Sequence, residues 1–220
     1  MFAGPNGSGK SALKSLLPPE LLGVYINPDE MERELCQKGF LDLDAYRVVV
    51  ADDKVRQFFH GSLLLAQAGI AEEAADLVLV RDGRLHYEPT KANSYVASVV
   101  ADLFRQHLLA TKSTFTFETV MSHSSKVNSL KSAQELGFRT YLYFIATDDP
   151  MINVSRVKSR VRLGGHAVPE DRIVKRYYAS LELLMKAVRY TNRAYIFDNS
   201  GEEREWLAEI VDGREMEMKS

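Results

Sequence analysis

Two hydrophobic periods alternate along this chain. Short runs rich in β-branched or aromatic residues, at 23–26, 113–118, 139–146 and 194–197, read as strands. Each is followed by a stretch with apolar residues three and four positions apart, which reads as a helix. The punctuation agrees with the periods. Asn27 and Pro28 suit an N-cap and a first helical position, and Gly137 closes a helix over 124–136. Thr147-Asp148-Asp149-Pro150 opens a helix that runs to Leu163 and is stopped by Gly164-Gly165. Pro169 starts another, whose Ile173, Tyr177, Leu181, Leu184 and Val188 form one stripe. After a turn at 198–201 the pattern predicts a last helix over 202–211 and a frayed polar tail beyond Gly213.

Residues 42–90 depart from this alternation. The stretch 42–75 reads as helical with a break at Gly61-Ser62, and 77–87 reads as a β-hairpin turning at Asp82-Gly83. Helix resumes over 91–109. The expectation is a single α/β domain, 1–220, with a parallel sheet of about five strands between helix layers and an insertion at 42–90.

Composition excludes several classes. The 220 residues carry a net charge of −2, so no global basic field recruits nucleic acid or an anionic membrane. The longest apolar run, 63–71, is too short to span a bilayer. Cys36 is the sole cysteine, and His60, His86 and His107 lack metal-ligand spacing. No secretory signal is read at the N-terminus, and a cytoplasmic location is expected. Asp52-Asp53 reads as a solvated helix face and Asp148-Asp149 as caps, rather than as metal sites.

The chemistry begins at Gly4-Pro5-Asn6-Gly7-Ser8-Gly9-Lys10-Ser11, which has the G-x-x-x-x-G-K-[ST] form of a phosphate-binding P-loop. Glycines let successive N–H groups curl around anionic oxygens, and the helix expected over 11–17, stopped by Pro18-Pro19, adds its positive end. Lys10 would reach the outer phosphates and the Ser11 hydroxyl would ligate Mg²⁺. A nucleoside triphosphate is expected here. Only three residues precede the motif, whereas strands commonly have about five. A very short strand or a chain continuing upstream of Met1 would account for this, and the second is favoured.

Asp29 falls in the first turn of a helix where a parallel strand ends, the sheet edge at which ligands bind. Acids also sit in first turns simply to complement the helix dipole, as Glu30 does, so both readings stand. Residues 156–176 are arginine-rich, with Arg156 and Arg160 on one helix face, Arg172 and Arg176 on another, and Gly164-Gly165 between. A lid closing over a triphosphate needs such a cationic clamp; a solvated basic helix pair is the alternative.

These motifs in this order, G-P-N-G-S-G-K-S, Y-I-N-P-D-E, F-E-T-V-M-S-H, R-V-K-S-R-V-R-L-G-G-H-A-V-P-E-D and I-F-D-N-S-G, resemble those of the zeta toxin-like P-loop kinases, notably the branch termed predicted ABC-type ATPase. The likeness covers most of the chain outside about residues 40–90. No L-S-G-G-Q signature is present, so transport is not implied. The resemblance implies a three-layer, adenylate kinase-like P-loop NTPase fold. It also implies ATP and Mg²⁺, with residues 4–11 holding the nucleotide and Ser11 with Glu118 holding the metal. Asp29 would accept the proton of the substrate hydroxyl, and Glu118 and Thr119 would form a strand-end pair near metal and substrate. Arg160, Arg162 and Arg176 would be the lid cations, His166 a substrate-side family feature, and Asn199 a residue near the adenine end. The implied activity is transfer of the γ-phosphoryl group to a small-molecule hydroxyl, in the family that of a nucleotide sugar, UDP-N-acetylglucosamine. The implied partner is an antitoxin protein. A kinase of another small molecule or of a nucleic-acid end, and a nucleotide-dependent switch or ATPase with no phosphoacceptor, are the alternatives.

Overall fold

The computed structural model describes residues 1–163, 165 and 167–218. In chain order the elements are β1 (Phe2–Ala3), a 3₁₀ helix (Lys10–Leu16), α1 (Pro19–Leu22), β2 (Val24–Ile26), α2 (Pro28–Lys38), β3 (Phe40–Asp42), α3 (Asp52–His60), α4 (Leu63–Gln67) and α5 (Ala71–Leu77). There follow β4 (Leu79–Arg81), β5 (Arg84–His86), a second 3₁₀ turn (Pro89–Lys91), α6 (Ser94–Ala110), β6 (Phe115–Thr119), α7 (Ser124–Glu135) and β7 (Tyr141–Ala146). The chain ends with α8 (Pro150–Arg162), α9 (Glu170–Val188), β8 (Arg193–Asp198), β9 (Glu205–Val211) and β10 (Glu215–Met218). It divides into two compact units, Met1–Pro18 with Glu118–Ser220, and Pro19–Phe117.

In the first unit β1 is a two-residue strand with parallel neighbours on both sides. Phe2 and Ala3 stand opposite Glu118 and Thr119 of β6 and opposite Tyr143 and Phe144 of β7. Both residues are fully buried, and the Phe2 ring meets Tyr143 edge-on at 5.6 Å. β7 pairs in parallel with β8 over its whole length, and the Tyr143 ring stacks on Tyr195 at 5.0 Å. β8 continues into antiparallel β9 and then β10.

This end of the chain corrects the expectation for 202–211 and the tail. Trp206, Leu207, Ile210 and Val211 satisfy a helical spacing, but β8 offers an open edge and the stretch pairs with it instead. The observed period is two: Ala208 and Ile210 are buried and Leu207 is exposed. The return into β10 is made at Asp212-Gly213, with φ of 48° and 66°. Successive positive φ values suit a tight hairpin turn, and Asp-Gly is a favoured pair for it.

In the second unit β2 runs parallel to the first residues of β6, with Ile26 opposite Phe117. α2 buries Met31 and Leu35, and α6 buries Val96, Val100, Phe104 and Leu108, as the two helices pack together. Asn93 caps α6 by accepting from the N–H groups of Tyr95 and Val96 at 3.0 and 3.1 Å. The expected hairpin is present, with Asp82 and Gly83 at φ 52° and 70°. It gains a third strand: β3 pairs antiparallel with β5, placing buried Leu41 opposite buried Leu85. Residues 42–51, read as helical, are therefore not so. Asp42 closes a strand, and the following chain folds on the hairpin through Leu43 N–H to the Gly83 carbonyl at 2.9 Å. The break at Gly61-Ser62 is observed, with Ser62 capping α4.

Asp52 fixes α3 to the hairpin. Its carboxylate accepts from the Val80 N–H at 2.6 Å and from the Arg56 Nε at 2.8 Å, while Arg56 also donates to the Ala75 and Asp76 carbonyls. The Arg56 and Val80 bonds hold the Asp52 carboxyl below its ordinary range. A depressed carboxylate stabilises the fold above its unfolded pKa, and that contribution disappears as pH falls through the folded value. Because the pair is about one-third exposed, the effect is discounted to about 1 kcal/mol. Asp52→Asn is expected to lower the urea midpoint at neutral pH and to lose its deficit relative to wild type in acid. A deficit constant with pH would remove the carboxylate from this role.

The candidate phosphate-binding loop and its surroundings

All of residues 4–11, with Glu118, Thr119, Arg160, Arg162, Arg176 and Asn199, belong to the first unit; Asp29 belongs to the second. The loop leaves β1 at Gly4 and enters the 3₁₀ helix at Lys10. Gly4, Gly7 and Gly9 have φ of 143°, 76° and 97°, where a side chain is strained. Ala12 N–H to the Gly9 carbonyl at 3.1 Å starts the tighter i→i+3 pattern. The helix ends with extended Leu17, as expected of a residue before proline.

Lys10 bends back across the loop, its Nζ donating to the Gly4 and Pro5 carbonyls, each at 2.9 Å. Ser11 Oγ lies 3.4 Å from Oε2 of Glu118, so the last loop residue and the buried acid at the end of β6 face each other. A hydroxyl and a carboxylate so placed fit a magnesium ion that draws its other ligands from phosphate and water. Among the described residues no three His, Cys, Asp or Glu side chains gather to cage a metal. Two loop oxygens, Asn6 Oδ1 and Ser8 Oγ, are buried without a hydrogen bond among the described residues. Polar atoms left so at a loop of this form fit a site for a polar ligand.

The loop rests on two asparagine amides. Asn153 of α8 donates from Nδ2 to the Asn6 carbonyl at 2.6 Å, and Asn199 donates from Nδ2 to the Ser8 carbonyl at 2.8 Å. Asn153 is fully buried, and its Oδ1 accepts from the Thr147 hydroxyl. Tyr177 of α9 donates its hydroxyl to the Thr147 carbonyl at 2.5 Å. Burial, with Tyr178, Asp148, Asp149 and Asp198 nearby, raises the Tyr177 pKa and keeps that donor protonated. Neither the loop contact of Asn153 nor the Tyr177 bond behind it was predictable. Tyr177 reads as part of an apolar stripe and Asn153 as an ordinary helix residue.

The arginine-rich segment is mixed in use. Arg156 donates to the Asn199 carbonyl at 2.6 Å and to that of Gly201 at 3.4 Å, clamping the turn after β8. Arg160 and Arg162 are exposed at the end of α8, and Arg176 is half-buried on α9. α8 and α9 pack through Val154, Val157 and Ile173, with a Lys158–Glu170 ion pair at 2.7 Å. Gly164 and His166 lie outside the described residues. Thr119 accepts from the Met121 N–H at 3.0 Å, shaping the turn after β6.

In the second unit Asp29 is exposed in the first turn of α2. Its own N–H is held by Oδ1 of the buried Asn27 at 2.9 Å, which fixes the carboxylate's starting point at the C-terminal end of β2.

No family profile matches the chain. An uncharacterized protein of Haemophilus influenzae is 38% identical over 63 residues, which is 29% of this chain and 45% of that protein. Two crystal structures are similar in fold, at 15% identity over 99% of this chain and 60% of theirs. They are AvrRxo1-ORF1:-ORF2 with ATP, TM-score 0.53, and AvrRxo1-ORF1:AvrRxo1-ORF2 with sulphate ions, TM-score 0.54. The chain thus spans less than two-thirds of the length of each of these proteins. No described helix is long and apolar enough to cross a membrane. What the chain shares with the AvrRxo1 complex structures is a mixed α/β fold around a mostly parallel central sheet.

Proposed function

We propose that the chain is an ATP-dependent phosphotransferase, in the manner of the zeta toxin-like kinases its motifs resemble, moving the γ-phosphoryl group to a small-molecule hydroxyl. The observation that carries this reading is the loop 4–11, with Lys10 folded over it and Ser11 facing Glu118. A structure of similar fold was solved with ATP, which supports the choice of donor.

The residues divide the work as follows. The backbone N–H groups of Asn6, Gly7 and Gly9 are offered to the β- and γ-phosphates, Pro5 having none and Ser8 donating its own to the Pro5 carbonyl, and Lys10 neutralises their outer oxygens. Ser11 and Glu118 are the groups that would hold Mg²⁺, whose chemistry is to offset charge between those phosphates. The acceptor hydroxyl oxygen bonds to the γ-phosphorus as the bond to the bridging oxygen breaks, and ADP leaves with that electron pair. The hydroxyl proton passes to the Asp29 carboxylate. Arg160, Arg162 and Arg176 supply positive charge to the transferred group. A nucleotide sugar such as UDP-N-acetylglucosamine is the first acceptor to try. The AvrRxo1 structures hold two gene products, which supports looking for an antitoxin-like protein partner here too.

The test is mass spectrometry of a metabolite extract incubated with the protein and ATP. One acceptor should gain the mass of a phosphate while ADP accumulates. Phosphate release with no modified acceptor would replace this reading by that of an ATPase or switch. Asp29→Asn is expected to keep ATP affinity and lose transfer by on the order of 10² or more. Wild-type turnover in that variant would take the proton-accepting role from Asp29.

A further inference from the structure

We propose that Asn153 and Asn199 are positioning residues that set the direction of the loop's phosphate-binding N–H groups. The inference rests on the nucleotide reading above and adds to it residues that no motif in the sequence marks for that task. Among the described residues the peptide bonds are trans. In a trans peptide the carbonyl of one residue and the N–H of the next point to opposite sides of the chain. Asn153 holds the Asn6 carbonyl toward α8, so the Gly7 N–H is turned away from α8. Asn199 holds the Ser8 carbonyl toward the turn after β8, so the Gly9 N–H is turned away from that turn. Two donors of the cradle are thereby aimed by two side-chain amides.

The loop also packs closely on both residues, on the backbone of Asn153 and on the amide of Asn199. A Cβ on Gly7 would lie 2.7 Å from the Asn153 carbonyl oxygen, and one on Gly9 would lie 2.6 Å from the Asn199 Nδ2. Glycine at both positions is what lets the loop rest on the two asparagines. Each amide is also fixed from behind. The Asn6 carbonyl can only accept, so Asn153 must present its NH₂ there, and its Oδ1 is then left for the Thr147 hydroxyl. Tyr177 donates to the carbonyl of that same Thr147. Asn199 is tied at both ends of its backbone, its N–H to the Ala146 carbonyl at 2.9 Å and its carbonyl to Arg156. The C-terminal end of β7 is thus the common anchor of both braces.

This assignment separates Asn199 from the adenine, and that separation supplies the test. Calorimetric titration with ATP and with inorganic tripolyphosphate, which lacks the nucleoside, is run on the wild type, Asn153→Ala, Asn199→Ala and Thr147→Val. Each asparagine variant is expected to weaken both ligands by about tenfold. Thr147→Val is expected to weaken both by a smaller factor, since it frees the Asn153 amide to turn and removes a 3.2 Å contact to the Asp149 carbonyl without touching the loop. Thermal melts accompany each titration. If buried Asn153→Ala fails to fold, Asn199→Ala and Thr147→Val still decide. Unchanged affinity for both ligands in folded variants overturns the proposal. A loss in Asn199→Ala confined to ATP also overturns it, because that residue would then serve the nucleoside. A wild type that binds neither ligand overturns the nucleotide reading itself and the positioning role with it.

Discussion

Lys10→Ala is expected to lower phosphoryl transfer by on the order of 10³ while leaving the fold intact. The ammonium sits on the Gly4 and Pro5 carbonyls, in a loop whose other residues carry no charge. On the proposed reading, the same ammonium would exchange neutral acceptors for anionic phosphate oxygens, a gain that would grow as charge shifts toward the leaving group. Alanine leaves the carbonyls to water and the transition state without its nearest cation. Lys10→Arg is expected to fare little better, because a planar fork cannot take the place of a compact ammonium between two carbonyls. Turnover with labelled ATP measures both variants. Either one retaining a tenth of wild-type activity would remove Lys10 from the transfer step.

The second large effect is on stability. A Cβ on Gly4 would stand 2.0 Å from the Ile145 carbonyl oxygen, and the residue's φ is 143°. That oxygen belongs to β7, which is locked to β8 by a ladder that places Ile145 opposite Phe197. Relief would require separating β7 from the chain leaving β1, so Gly4→Ala is expected to cost about 4 kcal/mol or more. Gly137→Ala is the control. Its φ of 85° carries the same kind of backbone strain, but a Cβ there meets nothing within 4 Å, so about 1–2 kcal/mol is expected. Urea unfolding of the two variants compares them. Equal losses would mean that the close approach to Ile145 has no energetic weight.

What could be read from the sequence follows from how local each signal is. The loop 4–11 is a backbone device written in glycines, and Gly4, Gly7 and Gly9 take the positive φ that only glycine adopts freely. Asp82-Gly83 announced its hairpin because the turn chemistry is contained in two residues. Asp212-Gly213 holds the same signal, yet Trp206, Leu207, Ile210 and Val211 satisfy helical spacing, and it takes the open edge of β8 to decide for a strand. Residues 43–51 went astray for a similar reason, since the hairpin they fold against is formed forty residues later. Asn153 and Asn199 lie 147 and 191 positions from the loop residues they touch. No window of local sequence contains such a contact.

The two amide braces also bear on the thermodynamics of the proposed nucleotide capture. A glycine-rich loop that took shape only around its ligand would give up conformational entropy on each encounter, about 1–2 kcal/mol per residue ordered. Here the Asn6 and Ser8 carbonyls are pinned by the protein's own side chains. That ordering is then part of folding, and a nucleotide bound as proposed would meet a preformed cradle. Calorimetry of ATP binding should accordingly show a small entropic penalty, and the asparagine variants should show a larger one.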